Sequence, residues 1–198
     1  GVVGIAVSLD SCNPQTHNFV RNHRNAFEMA LRGIRSIRKA GILLQINVTA
    51  MSYNFDELGE LVDLADEFRA SIMLMYQLVP VGRGLRIEEA RLDLMENERL
   101  IRFLKGKQKT CRTIIEPVAG PQYWPHLLET CGMNKGWKLK LAEKLFHGCS
   151  AGRGFVYIKP NGDVWPCPFV PVVCGNAQKE KFVDVWRNSV VLNQLRNR

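Results

Sequence analysis

The first hundred residues alternate between β-rich apolar runs and helical stripes at a period of about thirty residues, and this alternation restricts the fold more than any other feature. Gly1 to Leu9 is a β-rich run that stops at the polar group Asp10, Ser11, Asn13 and Pro14, which reads as a buried strand followed by a loop. Phe27, Ala30, Leu31, Ile34 and Ile37 recur at helical spacing and end at Gly41, a glycine stop signal. Ile42 to Ala50 is a second strand. Asn54, with Glu57 three residues on, reads as the N-cap of a helix whose inward stripe is Leu58, Leu61, Val62, Ala65 and Phe68. Ser71 to Val79 is a third strand, closed by Pro80 and the Gly82, Arg83, Gly84 turn. Glu88 to Leu104 reads as a third helix and Thr113 to Val118 as a fourth strand.

Such a pattern predicts βαβ units in a parallel sheet, either an open doubly wound sheet or a (β/α) barrel or partial barrel. Ligands of both architectures sit at the C-terminal ends of the strands. The polar residues there are Ser8, Asp10, Asn47, Thr49, Gln77 and Arg83. No strand is followed by GxGxxG or a P-loop, so the barrel is the better reading.

The 198 residues, 46% hydrophobic and 23% charged, suffice for one compact domain or for a large domain with a small one. The longest nearly apolar runs, Gly1 to Leu9 and Ser71 to Val81, are too short to span a bilayer, so no membrane segment is expected. The chain opens inside an apolar run with no basic region ahead of it. We therefore read no secretory signal, expect a cytoplasmic location, and read Gly1 as a start in the middle of a fold. The net charge of +8 comes from the second half: residues 102 to 198 hold 16 Lys and Arg against 6 Asp and Glu. A polyanionic partner, a site for small carboxylated or phosphorylated molecules, and a solvated basic surface all fit that excess. No RNA or DNA motif accompanies it, so no nucleic-acid partner is expected, and Lys105, Lys107 and Lys109 read as an exposed helix end.

After Pro117 the periodicity breaks at Gly120, Pro121, Pro125, Gly132 and Gly136, while Tyr123, Trp124, His126 and Trp137 crowd together. Residues 119 to 147 read as a connector with one or two short helices, between a domain at 1 to 118 and a small unit at 148 to 198. In that unit Phe155 to Lys159 and Val164 to Pro166 flank an Asn-Gly turn, a hairpin signal, and Phe182 to Leu195 reads as a closing helix. Six cysteines in such a chain suggest metal ligands or buried thiols rather than disulfides, and five of them follow residue 100. Cys149 is followed by twelve residues, Gly162, four residues and Cys167, so the hairpin can bring the two sulfurs to one locus. Two thiolates across a hairpin are half of a four-thiolate site, as used by structural zinc and by iron-sulfur clusters.

The segment GCSAGRGFVYIKPNGDVWPCPFVPVVCGN, residues 148 to 176, resembles the start of the SPASM or twitch auxiliary-cluster domain of radical S-adenosylmethionine (SAM) enzymes. Cys149, Gly162 and Cys167 fit the opening of that pattern, CX9-15GX4C; Gly175, Asn176 and the FVDVWRNS helix are also similar to it. VSLDS (Val7 to Ser11), AGILLQINVT (Ala40 to Thr49) and LVPVGRG (Leu78 to Gly84) resemble the fourth, fifth and sixth strands of the family's partial (β/α)6 TIM-like barrel. The resemblance implies an α/β fold, the later part of that barrel followed by a small auxiliary-cluster domain. It implies Ser8 and Asn47 beside SAM, the Leu78, Val79 and Pro80 backbone beside its adenine, Arg83 as a further SAM contact, and Cys149 and Cys167 as metal ligands. The implied cofactors are a 4Fe-4S cluster and SAM. The chemistry implied is reductive SAM cleavage and hydrogen abstraction from substrate, an oxidoreductase or lyase activity; no catalytic residue is assigned.

Within the family, the hairpin segment most resembles members that modify tetrapyrrole side chains, in the haem and d1-haem pathways, or ribosomal peptides. The implied partners are therefore a tetrapyrrole or peptide substrate and an electron-donor protein. Two departures stand out. No two cysteines have the CxxxCxxC spacing of the SAM-cleaving cluster, which is expected upstream of Gly1, and the auxiliary pattern is expected to continue past Cys167 with a CxxC run. Cys174 is open between a substitute ligand and a buried thiol. Cys111 and Cys131 match nothing in the pattern, and Cys12 lies in the loop after the first strand. The chain thus reads as truncated at both ends and inactive alone. The alternative is a non-catalytic metal-binding or basic interaction module left by truncation.

Overall fold

The computed structural model describes residues 1 to 120, 123 to 130, 136, 137, 140 and 149 to 197. The chain divides into two compact units, Gly1–Gly132 and Met133–Arg198. In the first, β1 (Gly4–Ser8), β2 (Leu43–Ala50), β3 (Ile72–Gln77) and β4 (Ile114–Val118) form one sheet in that order. All three pairings are parallel. The expected partial-barrel arrangement of β/α repeats is present, including the fourth strand.

Strand periodicity of two sorts the side chains onto two faces. Along β2, Leu44, Ile46, Val48 and Ala50 are fully buried, while Leu43, Gln45, Asn47 and Thr49 point the other way and stay partly open. The buried row packs against Ile34 and Ile37 of α2 (Ala26–Lys39), Leu58, Leu61, Val62 and Ala65 of α3 (Leu58–Glu67), and Leu100 and Leu104 of α4 (Leu94–Lys107). Burying one such aliphatic side chain contributes about 1.5–3 kcal/mol, so this interface dominates the stability of the unit.

Local chemistry explains where the elements end, and in four places departs from the sequence reading. Pro14 begins a helix rather than a loop: α1 (Pro14–Arg21) has Asn13 as N-cap, its Oδ1 accepting from the N–H groups of Gln15 and Thr16, and proline suits the first turn. Asn54 is not an N-cap. It is buried inside a 3-10 turn, Ser52–Glu57, where its side chain bonds neighbouring strand ends, and α3 starts only after it. The helix expected from Glu88 is split into a 3-10 segment, Gly82–Ala90, and α4. Asp93 caps α4 through a reciprocal box with Glu96, at 2.8 and 2.9 Å, which a start at Glu88 would forgo. At its other end Lys107 reaches Asp63 of α3 at 2.6 Å.

The second unit contains a three-stranded antiparallel sheet of β5 (Tyr157–Ile158), β6 (Asp163–Trp165) and β7 (Gly175–Asn176). The hairpin expected from the Asn-Gly turn is present, with Gly162 at φ +85°, and β7 adds a strand too short to show in the sequence. The fourth departure is the closing helix. It is two helices, α6 (Phe182–Asn188) and α7 (Val190–Arg196), broken where Ser189 is extended at ψ 123°. Val164, Val185 and Leu192 form the buried centre. Most of the stretch read as a connector, Cys131 included, lies outside the described residues; Tyr123–Thr130 of it form α5 within the first unit. Among the described residues no helix is long and apolar enough to cross a membrane.

One-sided burial of the sheet can be tested directly. Ile46→Ala is expected to lower stability by about 2–5 kcal/mol in urea unfolding, whereas Leu43→Ala, on the open face and 55% exposed, is expected to cost less than about 1 kcal/mol.

Candidate functional site

The open face of the parallel sheet carries its polar residues near the C-terminal strand ends. Register places Ser8, Asn47, Leu74 and Glu116 in one row across the four strands. Thr49, Tyr76 and Val118 form the next row, and Ala6, Gln45, Ile72 and Ile114 the one before. Parallel sheets are ordinarily covered on both faces. Here the face away from the helices stays partly open, with Ile114 59% exposed, and it is polar where a barrel binds its ligand. Gln45 Nε2 donates to Asn47 Oδ1 at 2.7 Å, which turns the Asn47 NH2 group away from Gln45. The Ser8 hydroxyl and the Asn47 amide thus stand on adjacent strands as a donor and acceptor pair for a polar ligand.

Past β3, the Leu78 to Pro80 segment runs half-buried into a tight turn in which Val81 N–H donates to Val79 O at 2.8 Å and Gly84 N–H to Val81 O at 2.9 Å. A Cβ on Gly84 would come within 3.2 Å of Val79 O, so only glycine fits this turn without a shift. Leu78 lines an open groove of about 400 Å³ together with Gln77, Arg91, Asp93 and Asn97. Val79 and Arg83 do not line it; Arg83 is exposed on the 3-10 segment that follows.

The strand ends beyond Ser8 and Asn47 are held by a buried polar group that the sequence reading recognised only in part. Asp10, Ser11, His17 and Asn54 are each at most 1% exposed. Asp10 Oδ1 accepts from Thr49 N–H at 3.0 Å, and Asp10 Oδ2 lies 2.6 Å from Arg21 Nε. Asp10 N–H donates to His17 Nδ1 at 3.1 Å, which makes that nitrogen an acceptor and the ring neutral. Burial lowers the His17 pKa, and Arg21 adds to this against the opposing pull of Asp10. Glu57 accepts from the Ser11 hydroxyl and, at 3.1 Å, from Cys12 N–H. A polar residue just after an apolar strand signals Asp10 and Ser11 in the sequence; nothing local signals His17, Asn54 or Glu57.

The thiols separate by environment. Burial, with Glu60, Glu57 and Asp63 nearby, pushes the Cys12 thiol up to about 11, so it is protonated at neutral pH. Cys111 is likewise raised by burial and donates to Thr113 O at 3.3 Å, a packing role in the α4–β4 connection. Cys174 is raised by burial too, and lines a groove of about 380 Å³ with Glu180, Asp184, Asn188 and Ser189. Cys149 is exposed and Cys167 partly buried. Tyr157 pairs with Trp165, two residues before Cys167, which bridges to Val170. Phe155 also bridges to Ala151, two residues from Cys149, in a turn where Ser150 O accepts from the N–H groups of residues 153, 154 and 155. Cys149 thus precedes β5 and Cys167 follows β6, so the two cysteines flank the hairpin in chain order. Among the described residues no three His, Cys, Asp or Glu side chains converge on a metal position.

Comparison with known proteins gives this architecture a family. Residues 149–198 match the SPASM model, an iron-sulfur cluster-binding domain. The AdoMet-dependent heme synthase of Methanosarcina barkeri is 32% identical over 200 residues, covering 100% of this chain and 57% of that protein. The mycofactocin maturase of Mycolicibacterium smegmatis is 30% identical over 98% of this chain and 47% of its own length. The crystal structure of Streptococcus suis SuiB bound to its precursor peptide SuiA superposes with a TM-score of 0.73 at 18% identity, over 96% of this chain and 43% of that one, a likeness of fold. The SPASM match on the cysteine-flanked hairpin and a relative named for AdoMet-dependent synthesis that covers the whole chain define the class, SAM-dependent iron-sulfur proteins. The chain belongs with the radical SAM proteins that carry a SPASM domain. It spans about half the length of the curated relatives it matches.

The neutral, buried His17 carries a pH signature. Its folded pKa lies below the ordinary 6.5, so the unfolded chain binds the extra proton first. Its contribution to stability is complete above about pH 6.5 and is lost as pH falls below that value toward the folded pKa. The urea midpoint should drop between pH 7.5 and 5.5, and His17→Asn, which keeps an acceptor near the Nδ1 position but cannot titrate, should flatten that drop.

Proposed function

We propose that this chain supplies the SAM-facing strands and the first auxiliary-cluster ligands of a radical SAM enzyme acting on a tetrapyrrole side chain or a peptide. The observation that carries this reading is the occurrence, in one chain, of an open sheet face with polar strand ends and the Cys149–Gly162–Cys167 hairpin. A zwitterionic cofactor with a ribose needs hydroxyl and amide partners at strand ends, which Ser8 and Asn47 offer. The Leu78 and Val79 backbone is the candidate adenine neighbour, and Arg83 a candidate partner for an anionic group. When bound, SAM and a reduced iron-sulfur cluster supply radical hydrogen abstraction; the protein orients them and excludes water.

The fit for an auxiliary cluster is partial. Cys149 and Cys167, which flank the hairpin, are the candidates for two of the four thiolates such a cluster uses. Catalysis by the complete enzyme also requires an electron-donor protein. The relatives named for heme synthesis support a tetrapyrrole substrate, whose propionates suit the basic second half of the chain, and the fold neighbour SuiB, bound to the precursor peptide SuiA, supports a peptide. The SPASM match and these relatives favour this enzyme reading over a non-catalytic interaction module.

Anaerobic reconstitution with iron and sulfide, followed by metal analysis and electron paramagnetic resonance, tests the cluster reading. Iron and sulfide are expected to bind together and to fall on Cys149→Ser or Cys167→Ser; binding of zinc alone would overturn it. In equilibrium binding of SAM, Ser8→Ala and Asn47→Ala are each expected to weaken affinity about 3- to 10-fold, the loss of one hydrogen bond. The chain alone, having no CxxxCxxC, should release no 5′-deoxyadenosine from SAM.

A further inference from the structure

We propose that Asp10 is a positioning residue that, with Asn54, clasps the ends of β1 and β2 and thereby sets the spacing of Ser8 and Asn47 before SAM arrives. This rests on the reading of the open face as the SAM site.

The backbone ladder between β1 and β2 ends just past the Ser8–Asn47 pair, where Leu9 N–H donates to Asn47 O at 2.9 Å. A regular parallel ladder would next use the Leu9 carbonyl to accept from Thr49 N–H. Instead Thr49 N–H donates to the carboxylate of Asp10, at 3.0 Å. The side chain therefore stands in for a ladder partner at the point where β1 leaves the sheet. Asn54 Nδ2 closes the same junction from the other side, donating to Asp10 O at 2.5 Å and to Thr49 O at 2.8 Å, while its Oδ1 accepts from Met51 N–H at 2.8 Å. Three bonds from two buried side chains thus tie together the residues two positions beyond Ser8 and Asn47, and the fourth holds Asn54 to Met51.

A neutral amide at residue 10 could accept from Thr49 just as well, so the charge has a different task. A fully buried carboxylate is expensive to desolvate and is retained where it has partners. Asp10 Oδ2 lies beside Arg21 of α1, but off the line of a good hydrogen bond, and His17 of the same helix receives Asp10 N–H. The charge anchors α1 to the sheet, and the directed bond from Thr49 sets the strand ends. A site whose groups are held in place before the ligand arrives avoids an ordering cost on binding. The two roles separate by substitution.

Equilibrium binding of SAM and urea unfolding would be measured on the full 198-residue chain and its variants. Asp10→Ala is expected to weaken SAM binding at least 10-fold. Asp10→Asn, which keeps the acceptor and loses the charge, should bind SAM within about 2-fold of the unmodified chain while its urea midpoint falls, and Arg21→Gln should behave likewise. Equal losses of affinity in Asp10→Asn and Asp10→Ala, in step with their stabilities, would overturn the positioning role. Unchanged affinity in Asp10→Ala, with losses in Ser8→Ala or Asn47→Ala, would overturn it while leaving the SAM reading intact. Unchanged affinity in all three would overturn both. Should Asp10→Ala fail to fold, hydrogen exchange on the unmodified chain decides: Thr49 N–H is expected to exchange as slowly as the ladder amides of β2 without SAM, and exchange at loop rates would sink the proposal.

Discussion

Burial of the sheet on one side only is the constraint on which the rest of the first unit depends. Leu44, Ile46, Val48 and Ala50 of β2 are sealed beneath α2, α3 and α4. Because a strand alternates its side chains, sealing that row commits Gln45, Asn47 and Thr49 to the opposite face. A one-residue slip of β2 would put three polar side chains into the core, so the hydrophobic effect that stabilises the unit also fixes which groups a ligand can reach. Fold and site share one register.

That register has to be preserved where the strands stop. Backbone donors and acceptors lose their ladder partners as β1 turns away at Asp10, and buried groups left unpaired there would cost about 1–3 kcal/mol each. Asp10 supplies partners from the loop after β1, and Asn54 and Glu57 from the 3-10 turn after β2, while His17 and Arg21 tie the following helix to them. Residues with no contact to a ligand are therefore as relevant to the candidate site as Ser8 and Asn47.

The second unit has a much smaller core, centred on Val164, Val185 and Leu192, and depends on turns to make up for it. Gly162 at φ +85° and Gly175, where a Cβ would lie 2.7 Å from Val185, allow close approaches that other residues would obstruct. The result is a hairpin with cysteines flanking its base, the arrangement expected of an iron-sulfur-binding SPASM segment. Cys174 faces Ser189 at the break between α6 and α7, with its thiol raised by burial.

By itself the sequence determined the four parallel strands and the helices α2, α3 and α4 that alternate with them, the hairpin at the Asn-Gly turn and the family, because each is written in local spacing. Apolar residues at periods of two and 3.6 report their own burial, and Cys149, Gly162 and Cys167 lie within nineteen residues of one another. Local spacing misled where distant partners competed. Asn54 and Glu57 have the spacing of a helix start, yet Asn54 is drawn to the carbonyls of Asp10 and Thr49 and Glu57 to Ser11 and Cys12. Only the tertiary structure decided that Asp10, His17, Arg21, Thr49 and Asn54 form one group. A buried hydrogen bond between residues 39 or 44 positions apart leaves no periodic trace, and its partners are chosen by which backbone groups the packed sheet leaves unsatisfied.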